Sequence, residues 1–345
     1  MAARGGKPKG TVVGIDVFCG AGGMSRGLQR AGIRVVCGVD NDPTVVKTYK
    51  ANIHRRVLCR DIKTVTAPQL RRLVPKTARL VLSVCAPCQP FSKIRKTRKR
   101  SPDRHLLLEV GRLVRSLRPD GLIVENVPQI SRSSSKGVLG QFLRVLRSAG
   151  YSWTVDVLDA KHYGVPQTRA RMVVLAVRGR NRKIHAPRPN KGAFRTVEDA
   201  IRGLPPVRAG RKSAYHPLHF AAALSDTNLE RMRVTPIDGG DSRKWPKHLR
   251  LPCHVRSDGF YDVYGRMHWK RPAPTLTTRC ISLSNGRFGH PTQRRAITLL
   301  EAALLQTFPR TYRFAGNQGE VARQIGNAVP VRLARALGAS LIKQL

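Results

Sequence analysis

The chain places a thiol where covalent chemistry on a polyanion is feasible. Cys88 sits in Val84-Cys85-Ala86-Pro87-Cys88-Gln89-Pro90-Phe91-Ser92, directly after the apolar run Leu80-Val81-Leu82-Ser83-Val84. Six lysines or arginines follow between Lys93 and Arg100. Deprotonated, a thiol is a strong nucleophile, and it needs an acid or hydrogen-bond donor to receive the charge that its attack develops. Glu125-Asn126-Val127-Pro128 supplies a carboxyl just past a second apolar run, Gly121 to Val124. Gln167-Thr168-Arg169-Ala170-Arg171 adds two guanidinium groups at alternate positions, which on an extended segment face one side.

A third constellation suits a nucleoside. Asp16-Val17-Phe18-Cys19-Gly20-Ala21-Gly22-Gly23 follows a strand-like run and opens a helix, and its glycines let the backbone turn tightly against a ligand. Asp40 stands 20 residues after Gly20, where a carboxylate can hold ribose hydroxyls. Asp61 is placed to take an adenine amino group. An acid at Asp16 favours a positively charged ligand over a pyrophosphate. S-adenosylmethionine, with its sulfonium and amino-acid portion, meets that description.

These residues need a scaffold that brings strand ends together. Apolar runs at Thr11–Phe18, Arg34–Val39, Leu80–Val84, Gly121–Glu125, Ser152–Leu158 and Arg171–Val177 read as strands. Helical patterns at Met24–Arg30, Thr44–Ala51, Arg104–Leu117 and Leu139–Ala149 alternate with them. That alternation predicts an α/β fold with a mainly parallel sheet covered on both faces. From Arg178 to Arg271 the chain turns irregular, with 21 basic against 8 acidic residues. Helices are expected again at Arg295–Thr307, Glu320–Ile325 and Val331–Lys343. The expected division is a first catalytic and cofactor-binding part over 1–178, an inserted basic domain over 179–287, and a return to the first domain over 288–345.

Across 345 residues, 64 Lys and Arg against 20 Asp and Glu leave a formal charge of +44. Such a field attracts nucleic acid and makes binding salt-sensitive. The lack of a long apolar stretch argues against a membrane span, and the basic start lacks the apolar core of a secretory signal. Seven scattered cysteines fit a reducing cytoplasm. Cys85 and Cys88 could form a redox pair or half of a zinc site. No second Cys-x-x-Cys completes four ligands, so no metal is expected.

In their order and spacing, five segments resemble the bacterial DNA (cytosine-5-)-methyltransferases of restriction-modification systems. They are Asp16-Val17-Phe18-x-Gly20-x-Gly22-Gly23, Pro87-Cys88-Gln89-x-Phe91-Ser92, Glu125-Asn126-Val127, Gln167-x-Arg169-x-Arg171 and Gln324-Ile325-Gly326-Asn327-Ala328-Val329-Pro330. The resemblance covers nearly the whole chain and implies a Rossmann-like S-adenosylmethionine-dependent methyltransferase domain with a smaller target-recognition domain. It implies that Cys88 attacks C6 of a flipped cytosine, that Glu125 contacts N3 and the exocyclic amine, that Arg171 assists at O2, and that Arg169 orients the site. For the cofactor it implies Asp16, Phe18, Gly20, Gly22, Gly23, Asp40, Asp61, Pro87 and Asn327, with S-adenosylhomocysteine as product.

Asp40 is shorter than the Glu frequent in the family, and Cys85 falls where many members carry Gly, which reads as a small core residue. Ser92, Lys93, Arg95, Lys96, Arg98, Lys99 and Arg100 are expected to grip DNA phosphates. Trp245 and Trp269 read as packing residues. The expected protein is a cytoplasmic, bacterial, DNA-associated monomer, acting on double-stranded DNA and paired with a separate restriction endonuclease. The rivals are a transfer-RNA cytosine methyltransferase, which shares the chemistry, a catalytically inactive DNA-binding regulator, and a redox protein using a Cys85–Cys88 disulfide.

Overall fold

The computed structural model describes residues 11–87, 106–132, 137–251 and 262–345. By contacts the chain forms two compact units. The first gathers Met1–Leu158, Ala170–Arg188 and Leu333–Leu345; the second holds Asp159–Arg169 and Pro189–Arg332. No helix among the described residues is long and apolar enough to cross a membrane.

The first unit is built on seven strands: β1 (Val12–Val17), β2 (Arg34–Asp40), β3 (Val57–Cys59), β4 (Arg79–Val84), β5 (Gly121–Asn126), β6 (Tyr151–Asp159) and β7 (Ala170–Arg178), in the order β3-β2-β1-β4-β5-β7-β6. The β3, β2, β1, β4 and β5 neighbours run parallel, whereas β7 is antiparallel to β5. The central strands are apolar on both faces because helices cover both sides. Val13, Ile15, Val17, Leu80, Leu82, Leu122 and Val124 are fully buried there.

Helices α1 (Gly23–Arg30), α2 (Pro43–Asn52), α3 (Ala67–Arg71), α4 (Leu106–Leu117) and α5 (Val138–Ser148) pack around the sheet. α2 starts where local chemistry dictates. Asp42 caps it by accepting from the Thr44 and Val45 amides, and Pro43 takes the first helical position. β3 and α3 were not legible in advance, because three and five residues are too few to establish a period.

The second unit has its own small core of Met232, Trp245, Leu249, Tyr264, Leu283 and Ala296. Trp245 is buried and donates to Thr235 Oγ1 at 2.8 Å, which makes it a packing residue. Trp269 stacks edge-on against His290. Regular structure is sparse, with short helices at Val197–Ile201 and Asp226–Val234. The helix expected over Arg295–Thr307 is shorter, Leu299–Leu305. A capping box between Thr298 and Glu301 sets its start, and Arg295 instead turns inward to pair with Glu301. Helix Gln318–Asn327 follows close to expectation, as does Val331–Ile342, which from Leu333 onward belongs to the first unit.

Candidate active site

The C-terminal ends of β1, β4 and β5 lie side by side, since Val17 pairs with Val84 and Val84 with Val124. In a parallel sheet this edge is where ligands bind. The glycine-rich loop leaves β1 here. Phe18, Gly20 and Gly22 all hold positive φ, at 56°, 51° and 84°. Glycine adopts that region freely, but Phe18 does so under strain, as residues held at binding sites often do. Space is open beside the Gly20 α-carbon.

Two carboxylates hold the loop. Asp40 Oδ2 accepts from the Gly20 amide at 2.9 Å, and its Oδ1 accepts from Asp42 N at 3.1 Å. Burial raises the Asp40 pKa, partly offset by the amides of Asp42 and Gly20. Asp16 is entirely buried. It accepts from Ser25 Oγ at 2.6 Å and Ser83 Oγ at 2.7 Å, and Ser25 Oγ in turn lies 2.8 Å from Tyr49 Oη. The Ser25 backbone also donates to Asp16, so this carboxylate caps α1 from a neighbouring strand, a task that Gly22 has no side chain to perform. Burial pushes the Asp16 carboxyl up to about 6 against the pull of these donors. Asp16 thus meets hydroxyls and an amide, with no surface exposed to a charged ligand. Asp61 is exposed, and its side chain accepts from the Lys63 amide.

Glu125 and Arg171 come together in the first unit. Glu125 Oε1 lies 2.9 Å from Arg171 Nε, and both side chains are largely enclosed. Arg171 Nη1 also donates to the Ala170 carbonyl at 2.7 Å. Asn126, next to Glu125, donates to the Ala86 carbonyl at 3.2 Å and ties the end of β5 to the segment leading into Pro87. Pro87 is exposed at that point, and Cys85 is half-buried. Cys88, Ser92, Lys93, Arg95, Lys96, Arg98, Lys99 and Arg100 lie outside the described residues.

Arg169 departs from the expectation that it points together with Arg171. It is buried in the second unit, where it donates to the carbonyls of Leu276, Gly326 and Ala328 at 2.9, 2.8 and 3.2 Å. Gln306 adds donors to the Ile325 and Ala328 carbonyls. These bonds fix the backbone on both sides of Asn327, which is itself exposed at the end of its helix. Gly326 lies so close to Thr277 that a β-carbon would sit 2.1 Å from its carbonyl oxygen. Gln306, Asn126, Ser25, Ser83 and Tyr49 are the supporting residues that sequence reasoning passed over. Only Asn126 carried a signal, as part of Glu-Asn-Val.

The family model for the C-5 cytosine-specific DNA methylases matches residues 12–343. The chain belongs to that family. As a C-5 cytosine-specific DNA methylase it is an S-adenosylmethionine-dependent methyltransferase whose partner is double-stranded DNA. The type II methylase M.HgiDII of Herpetosiphon aurantiacus is 40% identical to it over 334 residues, 95% of this chain and 94% of that one. The type II methyltransferase M1.HphI of Haemophilus parahaemolyticus is 33% identical, with 95% and 86% covered.

Among solved structures, the protein assigned as a prophage-encoded DNA modification methyltransferase (E. coli) superposes with a TM-score of 0.76 at 23% identity, over 96% of this chain and 99% of that one. The S. pombe Dnmt2 methyltransferase gives 0.63 at 18% identity, with 96% and 98% covered. These two likenesses establish the methylase fold. Among the described residues of this methylase, no group of three His, Cys, Asp or Glu side chains could hold a metal.

Proposed function

We propose that this methylase modifies a cytosine within a specific duplex sequence through a covalent bond from Cys88 to C6, and that it protects DNA from a partner endonuclease in a bacterial cytoplasm. The observation that carries the reading is the Glu125–Arg171 pair, held at the same sheet edge as the glycine-rich loop and tied by Asn126 to the entry of the Pro87-Cys88 segment.

Cytosine C5 is a poor nucleophile inside the aromatic ring. Addition of the Cys88 thiolate at C6 turns C5 into the nucleophilic end of an enamine. Glu125 holds N3 and the exocyclic amine as charge develops there, and Arg171 keeps the carboxyl oriented while reaching toward O2. The cytosine leaves the stack to reach these groups. After methylation, loss of the C5 proton lets the thiolate depart.

The loop residues fit S-adenosylmethionine: Gly20 leaves open space, Phe18 offers a ring, and Asp40 a carboxylate. When bound, that cofactor supplies an electrophilic methyl group. Asp40 would hold its ribose, Asp61 and Phe18 its adenine, and Pro87 and Asn327 would complete the site, while Asp16, Gly22 and Gly23 keep the loop and α1 in place. Target recognition is assigned to residues 179–287. The Lys93–Arg100 run, with Ser92, is assigned to phosphates.

Bisulfite sequencing of DNA from expressing cells tests the reading. Methylated cytosine in one recurring sequence is expected. Cys88→Ala should abolish it, and methylation surviving in that variant rules out the covalent route.

A further inference from the structure

The β5–β7 register divides the first unit into two opposite edges. Asn126 pairs with Met172 at the edge that carries Glu125 and the glycine-rich loop, and Gly121 pairs with Val177 at the other. Six strand residues separate these edges by about 20 Å. At the far edge, the Tyr151 hydroxyl donates to the Pro119 carbonyl at 2.6 Å, and the Gly179 amide to the Gly150 carbonyl at 2.9 Å.

An open groove of about 590 Å³ lies there, lined by Arg147, Ser152, Trp153, Arg180, Asn181 and Arg182 among others, with no acidic side chain in its wall. Arg178 nearby is paired with Asp120. Three of the eight residues that line the groove are arginines, against 64 Lys and Arg in 345 residues, so its positive charge exceeds the chain's average. The groove is also built. The Arg147 guanidinium lies over the Trp153 ring at 5.8 Å, and Trp153 is anchored against the core. Asn181 holds a positive φ of 61° between the two arginines. Ser152 Oγ donates to the Gly179 carbonyl at 2.7 Å and accepts from the Arg182 amide at 3.0 Å, which fixes the turn.

We propose that this groove is a second nucleic-acid site, which binds the phosphodiester backbone of duplex DNA at the sheet edge opposite the cofactor loop. The Arg147 guanidinium over an aromatic ring and Arg180 on a fixed turn suit phosphate oxygens at low conformational cost, while the Arg182 guanidinium donates to the Gln344 and Arg178 carbonyls and holds the wall of the groove. The residues of the methyl-transfer site take no part.

The test is fluorescence anisotropy of the full chain on a short duplex of random sequence across a salt series, without cofactor, so methyl transfer is not read. The groove variant is Arg147→Gln, Arg180→Gln; the matched control is Arg71→Gln, Arg72→Gln. Thermal melting verifies folding, and should the double variant fail it, Arg180→Gln alone is measured. The plot of log affinity against log salt should be shallower by about 1.8 in the double variant, about 0.9 for the single one, and nearly unchanged in the control. Equal slopes in groove and control variants overturn the proposal. So does stabilisation by inorganic phosphate that the groove variant loses while its duplex slope stays that of the parent, which would mark a free-anion site.

Discussion

Arg171 reaches Glu125 across the antiparallel β5–β7 junction. Glu125 stands opposite Val173, so Arg171, two residues along, projects from the same face as a diagonal neighbour. The Nε–Oε1 contact of 2.9 Å follows from that register, and it turns two separated sequence motifs into one chemical unit.

Arg171→Lys should therefore not be conservative. An ammonium cannot donate to Glu125 from Nε while offering further planar donors. Methyl transfer measured with labelled S-adenosylmethionine should fall by about 10²-fold or more, and Arg171→Ala should fall further. Retention of parental activity by the Lys variant would show that the pair does not orient the site.

Asp40→Ala removes the acceptor for the Gly20 amide as well as the proposed ribose contact. The expected signature is a KM for S-adenosylmethionine raised by about 10-fold to 100-fold, with a smaller change in kcat. Isothermal titration with S-adenosylhomocysteine gives an independent check. A fall in kcat alone would place Asp40 outside cofactor binding.

Asp16 should make folding pH-dependent in an unusual direction. Its carboxyl is raised from 3.8 to about 6, so the folded state binds the proton more tightly than the unfolded chain. That contribution is fully present below 3.8 and lost as pH rises through about 6, amounting to about 3 kcal/mol. Denaturant unfolding of Asp16→Asn, compared with the parent, should show the difference shifting in favour of Asn over that window. A pH-independent difference would contradict the buried-carboxyl reading.

Glu301 carries the opposite sign. Burial alone would push its carboxyl up, but the Arg295 guanidinium, at 2.7 and 2.8 Å, more than reverses this and holds it below the ordinary 4.5. Its stabilisation is present above that value and lost as pH falls through the lowered one. Glu301→Gln leaves Arg295 buried without its counter-charge and should cost about 3–5 kcal/mol at neutral pH, shrinking in acid. Thermal melts at neutral and acid pH measure both effects.

Gly326→Ala should destabilise the second unit by several kcal/mol, on the order of 3, because the new β-carbon would meet Thr277 backbone at 2.1 Å. A melting temperature equal to the parent's would mean that the Thr277 segment yields freely.

The sequence alone determined the element types of the first unit and most of the chemistry. Long apolar runs and 3.6-residue periods are local properties, so β1, β4, β5 and α4 could be read directly. Glycines before α1 and the acids at Asp40 and Glu125 announced themselves by type and position. What tertiary structure decided was the partner of each polar group. Asp16 looked like a ligand for a cation, but the approach of α1 and β4 closes it among Ser25 and Ser83. Arg169 and Arg171 share an alternation in sequence, yet one is enclosed by carbonyls drawn from Leu276, Gly326 and Ala328, and the other meets Glu125. Those carbonyls lie more than 100 positions away along the chain. Local pattern cannot carry that information, because a buried charge takes its role from whichever groups folding brings within hydrogen-bond reach.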